Sequence, residues 1–294
     1  MAPEWLSHLF LMVREAHESF RDLQLYMEGM VSERQQINFN ETPRHDLFNA
    51  LLIGNEDSWD NISDKFTDQQ LFANMFLFLL AGHETTAHSL AYTLGLLAIH
   101  EDEQEKLYRH IIDNLGGVEI PSYEQMGRFS YVLATFYEAL RLFPIVPALS
   151  KQAAEDTTIP KRKSDGGIEH IPVPKDSHIL LNIIALHYHP KYWSDPEKFD
   201  PSRFLGEWNR DAYVPFSGGM RACIGRRFAE VEKAFISQAV ALLVVLLKHY
   251  KIEMKDPEEY TGLDVLQKRA RLLRSRTHLN LGPTHEPLVF RKRE

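Results

Sequence analysis

The sequence predicts a mainly α-helical protein that also carries small β-sheets. The strongest signal is the proline-free, largely apolar segment from Thr67 to His100. A helix of that length, roughly 50 Å at about 1.5 Å per residue, would cross a whole domain. A second signal is the helical spacing of apolar residues in several other segments. A third is the region Thr157–Leu186, where short strand-like runs alternate with Gly and Pro turns.

Composition indicates a globular protein with a substantial core, because hydrophobic residues make up 44% of the 294 residues. The chain carries 33 Lys and Arg against 41 Asp and Glu, a formal net charge of -8. This balance disfavours binding to nucleic acid. The single cysteine excludes an internal disulfide framework and fits a reducing compartment.

No secretory signal or membrane span is predicted. Met1–Arg14 lacks a basic region and a small-residue cleavage site. The longest apolar runs, Leu71–Ala81 and Ala239–Leu247, are too short to span a bilayer and are interpreted as buried helix.

The N-terminal third is predicted to be helical. Trp5–Arg34 has apolar residues at helical spacing, and Asp46–Gly54 is interpreted as a short helix. The long helix begins at a capping box formed by Thr67 and Gln70. It is apolar nearly all round at first, which predicts that its start is buried.

The middle of the long helix carries an unusual polar segment, Ala81–Thr86. Gly82 weakens a helix, and Glu84 places a carboxylate in an apolar run, which is costly unless the group is paired or functional. One interpretation is a kink in a core helix with Glu84 on a solvated face. A zinc site is disfavoured because His83 and His88 are five residues apart, whereas two ligands on one helix face need a spacing of four.

The next helices have recognisable ends. His100–Leu115 is predicted to end at a Gly116 C-cap, and Ser122 with Gln125 suggests another capped start. Arg128–Leu142 is predicted as a helix. Its Glu138 and Arg141 share one face at i and i+3, a pattern that is by itself typical of an exposed ion pair of little energetic value.

Short strands and loops are predicted after this helix. Turns are expected at Asp165–Gly167 and Pro174–Asp176, and His187 and His189 follow in a polar loop. Two histidines so close together could form a metal pair, but histidines in a polar loop are more commonly solvated, which is the expectation here. The final segment, Lys251–Glu294, is predicted as loops and short strands with a solvated basic stretch.

The only cysteine, Cys223, lies in a glycine-rich loop ahead of a helix predicted from Arg226 to Tyr250. At a helix N-terminus the dipole and the free N–H groups favour a thiolate. Glycines allow the loop backbone to take φ > 0 and to approach a flat object closely. A lone cysteine is more commonly a small buried hydrophobe, and this context argues against that interpretation.

The loop resembles the haem-ligand loop of the cytochrome P-450 family of haem-thiolate monooxygenases. The family pattern is matched at Phe216, Gly219, Arg221, Cys223 and Gly225. The resemblance implies that Cys223 is the axial thiolate of haem b (iron protoporphyrin IX), whose electron donation favours O–O cleavage. It also implies that Arg221 contacts a haem propionate and that Phe216 packs near the sulfur.

The polar helix segment resembles the oxygen-activation segment of the same family. By that resemblance Ala81 and Gly82 let the haem and dioxygen approach the helix, and Glu84 and Thr85 carry a proton relay. Lys151 stands where many members have an Arg that binds a haem propionate. A lysine keeps the charge of that residue but not its bidentate geometry.

The resemblance implies a further cluster behind the haem, in which Arg203 joins Glu138 and Arg141 as a buried ionic group. Ser202 stands where the family usually has Glu. The resemblance also implies the fold and domain organisation. Residues 1–294 are expected to form a single cytochrome P-450 domain that is incomplete at the N-terminus, corresponding to the C-terminal portion of a eukaryotic-type member.

The activity implied is insertion of one oxygen atom from O2 into an apolar organic substrate. Electrons are expected from NADPH through a separate flavoprotein reductase, because the chain has no dinucleotide fingerprint and no flavin module. Full-length members of this type are bound to the endoplasmic-reticulum membrane and face the cytosol. This chain shows no anchor and is expected to be cytosolic. Two alternatives stay open: a haem-thiolate isomerase or dehydratase, and a truncated fragment without catalytic activity.

Overall fold

A computed structural model of the chain describes residues 11–35, 48, 50–52, 66–226, 235–277, 280–284 and 287–293. The chain divides into two compact units, Met1–His83 and Glu84–Glu294. Because residues 1–10, 36–47, 49 and 53–65 lie outside the described ranges, the predictions at Trp5–Arg34 and Asp46–Gly54 fall partly outside them.

The first unit contains helix α1 (Leu11–Gln35) and the first half of helix α2 (Asp68–Ile99). Its small core is formed by Met27, Leu52, Leu71 and Met75. The capping box at the start of α2 is confirmed. The Thr67 N–H donates to Gln70 Oε1 at 2.9 Å, and the Gln70 N–H donates to Thr67 Oγ1 at 3.3 Å.

The start of α2 is not buried on all sides, contrary to the prediction. Leu77, Leu79 and Leu80 are 55%, 42% and 39% exposed. Core contacts in this unit involve Leu71 and Met75, which share one helix face because they are four residues apart. Hydrophobic composition alone does not show which faces of a helix are covered.

The second unit continues with helices α3 (Glu101–Leu115) and α4 (Ser130–Leu142). The C-cap predicted after α3 is confirmed, since Gly116 has φ 58° in the left-handed region. The predicted Ser122–Gln125 capping box also forms, but it starts a short 3-10 turn, Tyr123–Arg128, rather than the helix itself. The capping signals at Thr67 and Gly116 therefore mark helix ends, whereas the signal at Ser122 marks a 3-10 turn.

Small antiparallel hairpins and pairs follow, as predicted. The elements are β1 (Ala148–Gln152), β2 (Thr157–Arg162), β3 (Ile168–Val173), β4 (His178–Asn182) and the short helix α5 (Ile183–His187). β1 pairs with β4, and β2 pairs with β3 so that Ile159 faces Ile171. The short strands predicted in Thr157–Leu186 are therefore present up to Asn182, whereas the last residues of that range, from Ile183, are helical instead.

The C-terminal part holds two more strand pairs and two helices. The elements are α6 (Phe235–His249), β5 (Tyr250–Met254), α7 (Val265–Leu272), β6 (Ser275–Thr277), β7 (Leu281–Pro283) and β8 (Leu288–Lys292). β5 pairs with β8, and β6 pairs with β7. The helix predicted to run from Arg226 to Tyr250 ends at His249, because Tyr250 already pairs in a strand. Residues 227–234 lie outside the described ranges.

Helix α7 was not predicted, and the basic stretch around it is not simply solvated. The Asp264 side chain accepts from the Gln267 N–H at 2.8 Å, and the Gln267 side chain accepts from the Asp264 N–H at 3.0 Å. Arg269 pairs with Glu197, and Leu272 is fully buried. This capping box was visible in the sequence and would have located the helix.

The core of the second unit lies between the second half of α2 and helices α3, α4 and α6. Its fully buried members include Leu96, Leu107, Val132 and Leu243. None of the helices in the described ranges combines the length and the apolar character that a bilayer crossing requires.

Candidate functional site

The cysteine loop is held in shape by its own backbone. The Cys223 N–H donates to the Phe216 carbonyl at 2.9 Å, and the Arg226 N–H donates to the Cys223 carbonyl at 3.0 Å. Gly219 has φ 73°, which glycine adopts readily, and Ser217 has φ 63°, which is uncommon for a residue with a side chain. These turns bring Phe216, the first residue of the matched motif, next to Cys223.

The loop presents the sulfur to the surface of its unit. Cys223 is a free, exposed cysteine, and Arg221 is exposed as well. Phe216 is half-buried and packs against the core. A Cβ added at Gly225 would lie 3.7 Å from Cys223 Sγ, an ordinary contact distance. The interpretation of Cys223 as a small buried hydrophobe is thereby excluded.

The polar segment of α2 is helical throughout. Ala81 and Gly82 are exposed, whereas Glu84 and Thr85 are half-buried. A Cβ added at Gly82 would meet nothing within 4 Å. The Glu84 carboxylate is not merely solvated, because its Oε2 accepts from Asn280 Nδ2 at 2.9 Å. The carbonyl of Thr85 accepts from Ser89 Oγ at 2.7 Å.

The structure brings Glu138, Arg141 and Arg203 together. Both partners of the Glu138–Arg141 pair have fully buried side chains, and two hydrogen bonds of 2.7 and 2.8 Å join them in bidentate fashion. Arg203 Nε lies 3.4 Å from Glu138 Oε1, a charge contact rather than a strong hydrogen bond. The Asp200 N–H adds a donor to Glu138 Oε1 at 2.9 Å.

Arg141 also binds the chain that follows the strands. Its guanidinium donates to the carbonyls of His187, Pro196 and Lys198 at 2.8, 2.9 and 3.2 Å. Burial raises the pKa of the Glu138 carboxyl, and the hydrogen bonds and charge of Arg141 act against that rise. A buried pair so fully bonded is costly to break, since each group would leave the other unpaired. The pair that spacing alone classed as exposed therefore has the buried setting that the resemblance implies.

His187, expected to be solvated, is fully buried and joins two parts of this region. Its Nε2 accepts from the Val214 N–H at 3.0 Å, and its Nδ1 lies 3.2 Å from the Arg141 carbonyl. The Nδ1 nitrogen therefore carries the proton in the neutral ring. Burial lowers the pKa of His187 to about 4. Val214 precedes the cysteine loop and Arg141 lies at the end of α4, so His187 links the two through hydrogen bonds.

Lys151 lies on β1 opposite Ile179 and is half-buried. Neither of two large clefts, of about 760 and 740 Å³, includes Cys223 in its lining. Within the described ranges, no three His, Cys, Asp or Glu side chains lie close enough together to hold a metal ion among themselves.

Sequence reasoning missed Asn280 and His187. Asn280 is far from Glu84 along the chain, and no local pattern relates the two. His187 sits in a polar sequence context, which gave no sign that the folded chain covers it completely.

Comparison with known proteins places this geometry in a family. The family described as Cytochrome P450 matches residues 1–272. The chain is 43% identical over 281 residues to cytochrome P450 monooxygenase 124 of Postia placenta, covering 96% of this chain and 53% of that protein. It is 34% identical over 226 residues to human cytochrome P450 3A5, covering 75% of this chain and 42% of that protein.

A solved structure gives the same result for the fold. A zebra fish cytochrome P450, in a structure described as containing progesterone, matches with a TM-score of 0.71 and 25% identity. The match covers 94% of this chain and 57% of that one. The chain therefore belongs to the cytochrome P-450 family and has its fold, and it spans about half the length of the curated relatives it matches.

Proposed function

We propose that this chain supplies the haem-binding part of a haem-thiolate monooxygenase, with Cys223 as the axial ligand of the iron. The observation that carries the proposal is the exposed Cys223 sulfur in a loop closed by the hydrogen bond from its N–H to Phe216. The names of relatives support it, since one is called a monooxygenase.

The residues of the loop fit a haem. A thiolate is a soft ligand suited to iron, and an exposed sulfur leaves one side open to a planar group. The exposed Arg221 supplies a cation for a propionate, and Gly219 has no side chain to obstruct the approach. Lys151 is proposed as a second cation for a propionate. When bound, haem b supplies the redox chemistry that activates dioxygen.

The α2 segment is proposed to manage protons. Glu84 holds a proton and Thr85 orients its transfer toward the site of dioxygen, a general-acid role. Ala81 and Gly82 keep that stretch of helix free of bulk. The half-buried setting of Glu84 and Thr85 supports this assignment, because such groups are shielded from water yet remain reachable.

The substrate is proposed to be an apolar small molecule, with O2 as co-substrate and NADPH as electron source through a flavoprotein reductase. A single domain over residues 1–294 and a location in the cytosol are proposed on the same family basis. The formal net charge of -8 supports the absence of a nucleic-acid partner.

Haem titration of the purified chain tests the cysteine assignment. We expect one-to-one binding and, after reduction, the carbonyl spectrum of thiolate ligation in wild type. Cys223→Ala should lose that spectrum, and the control Met220→Ala, which alters a fully exposed neighbour, should keep it. An unchanged spectrum in Cys223→Ala would refute the assignment. Failure of the wild-type chain to bind haem would favour the non-catalytic fragment.

The proton-relay assignment predicts a difference between two adjacent threonines. In the haem-loaded protein supplied with NADPH and a reductase, Thr85→Ala should divert electrons from product to peroxide, roughly 10²-fold if the transfer geometry is lost. Thr86→Ala should change this ratio little. Measurement of product formed per NADPH consumed decides, and equal effects of the two variants would remove the relay role of Thr85. A reaction that needs neither NADPH nor O2 would favour the isomerase or dehydratase.

A further inference from the structure

One face of α2 contacts the hairpin formed by β6 and β7 through side-chain hydrogen bonds and packing. Glu84, His88 and Tyr92 share this face because they follow one another at intervals of four residues. Tyr92 Oη donates to Ser275 Oγ at 2.8 Å. The His88 ring lies against Gly282, where an added Cβ would come within 2.5 Å of ring atom Cε1. A side chain at that position of β7 would therefore force the His88 ring to shift.

Asn280 links two of these side chains from just before β7. It is 7% exposed. Its Nδ2 donates to Glu84 Oε2 at 2.9 Å, and its Oδ1 lies 2.9 Å from His88 Nδ1. An amide oxygen only accepts, so His88 presents its N–H at Nδ1.

The contact with Glu84 fixes the direction of the Asn280 amide. If the amide turned over, its oxygen would face the Glu84 carboxylate, and two acceptors cannot hydrogen-bond to each other. The neutral His88 ring can offer either an N–H or a lone pair at Nδ1, so its tautomer follows the direction of the amide. The orientation in the structure is therefore the one that satisfies all three groups together.

We propose that Asn280 is a positioning residue for Glu84 and that His88 holds the other end of the Asn280 amide. This rests on the proposed function, in which Glu84 holds and passes a proton. Glu84 Oε2 is occupied by Asn280, whereas Oε1 has no hydrogen-bond partner among the described residues. A carboxylate anchored at one oxygen keeps the other in a constant direction. Oε1 is then the oxygen that exchanges the proton.

Nuclear magnetic resonance on the haem-free chain tests the bridge directly. The side-chain NH2 signal of Asn280, assigned by its loss in Asn280→Asp, should move in Glu84→Gln and in His88→Phe. It should not move in His83→Phe, a matched change at an exposed position of the same helix. A signal that stays in place in Glu84→Gln overturns the proposal whether or not the chain binds haem.

The coupling of NADPH consumption to product formation, measured in the haem-loaded protein supplied with a reductase, tests the positioning role. Asn280→Asp is nearly isosteric, but it removes the donor and sets a second carboxylate against Glu84. We expect peroxide released per NADPH to rise roughly tenfold, with the thiolate carbonyl spectrum unchanged. Asn209→Asp is the control, because either side chain can accept from the Asp211 N–H. Unchanged coupling with an intact spectrum would overturn the role.

A double variant distinguishes a positioning role of the Asn280–Glu84 hydrogen bond from a purely structural role. Glu84→Gln combined with Asn280→Asp restores a hydrogen bond with donor and acceptor reversed. Positioning of an acid predicts that the pair recovers stability but not coupling, whereas recovery of both would reduce the contact to a structural one. If wild type itself lacked the thiolate spectrum, the proposed function would fail, and the resonance experiment alone would then decide whether the bridge exists.

Discussion

The Glu138–Arg141 pair shows how context changes the value of one interaction. At the surface such a pair stabilises by less than about 1 kcal/mol. Here both side chains are fully buried, and Arg141 also serves three backbone carbonyls. Removing Arg141 would leave a buried carboxylate and these carbonyls without their donors. The energetic weight therefore lies in the cost of an unpaired partner.

Arg141→Met should lower the free energy of unfolding by roughly 3–5 kcal/mol, as expected when one partner of a buried pair is removed. Arg203→Met removes only the longer 3.4 Å contact and should lower the free energy of unfolding by less than Arg141→Met does. It therefore supplies a variant of intermediate stability. The control Arg109→Met breaks an exposed pair with Glu105 and should cost under about 1 kcal/mol. Urea unfolding measures all three, and equal costs for Arg141 and Arg109 would contradict the account.

His187 predicts a pH dependence of stability. Its folded-state pKa is lowered from 6.5 to about 4, so between these values the unfolded chain binds a proton that the folded chain does not. Stability is therefore complete above pH 6.5 and decreases as the pH falls toward 4. The loss from this one group amounts to about 3 kcal/mol.

Across this pH range the free energy of unfolding should fall more steeply with decreasing pH in wild type than in His187→Gln. The amide oxygen of the glutamine can still accept from the Val214 N–H. The variant His189→Gln alters an exposed neighbour and should keep the wild-type slope. Parallel curves for wild type and His187→Gln would show that His187 does not titrate as the structure implies.

At the scale of elements, α2 contributes to the core but has low intrinsic helix stability at one position. Gly82 lies in the interior of a helix, where glycine is about 1 kcal/mol less favourable than alanine. No neighbouring atom would obstruct a Cβ there. Packing within the described residues therefore does not explain the glycine, and the role proposed for Gly82 in haem binding can be tested by substitution.

Gly82→Ala should stabilise the haem-free chain by about 1 kcal/mol and weaken haem binding by at least about tenfold. Gly29→Ala, at another open helical position, should give a similar gain in stability without any effect on haem. Thermal unfolding and haem titration of the two variants make the comparison. Unchanged haem affinity in Gly82→Ala would contradict the proposed role of that position.

Local signals predicted element ends well, and non-local contacts could not be predicted. The capping boxes at Thr67 and Ser122 depend only on residues three apart, so they were legible in the sequence. Asp264 and Gln267 have the same spacing, and they form the capping box at the start of α7. In contrast, the burial of His187 depends on the fold around it. The contact of Asn280 with Glu84 joins residues 196 positions apart.

At the scale of the whole molecule, the sequence motif and the fold agree. The cysteine-loop motif pointed to the family, and the comparisons establish it over residues 1–272. The buried setting of Glu138 followed from the resemblance and not from its spacing to Arg141, which alone indicated an exposed pair. The resemblance thus carried information about Glu138 that its spacing to Arg141 did not.

The central claim is that the Cys223 sulfur binds the haem iron. X-ray absorption at the iron edge of the haem-loaded protein measures this bond most directly. We expect one sulfur scatterer in the first shell of the wild-type iron, retained in Met220→Ala and absent in Cys223→Ala. A first shell of nitrogen and oxygen alone in wild type, or a sulfur scatterer that persists in Cys223→Ala, would contradict the claim.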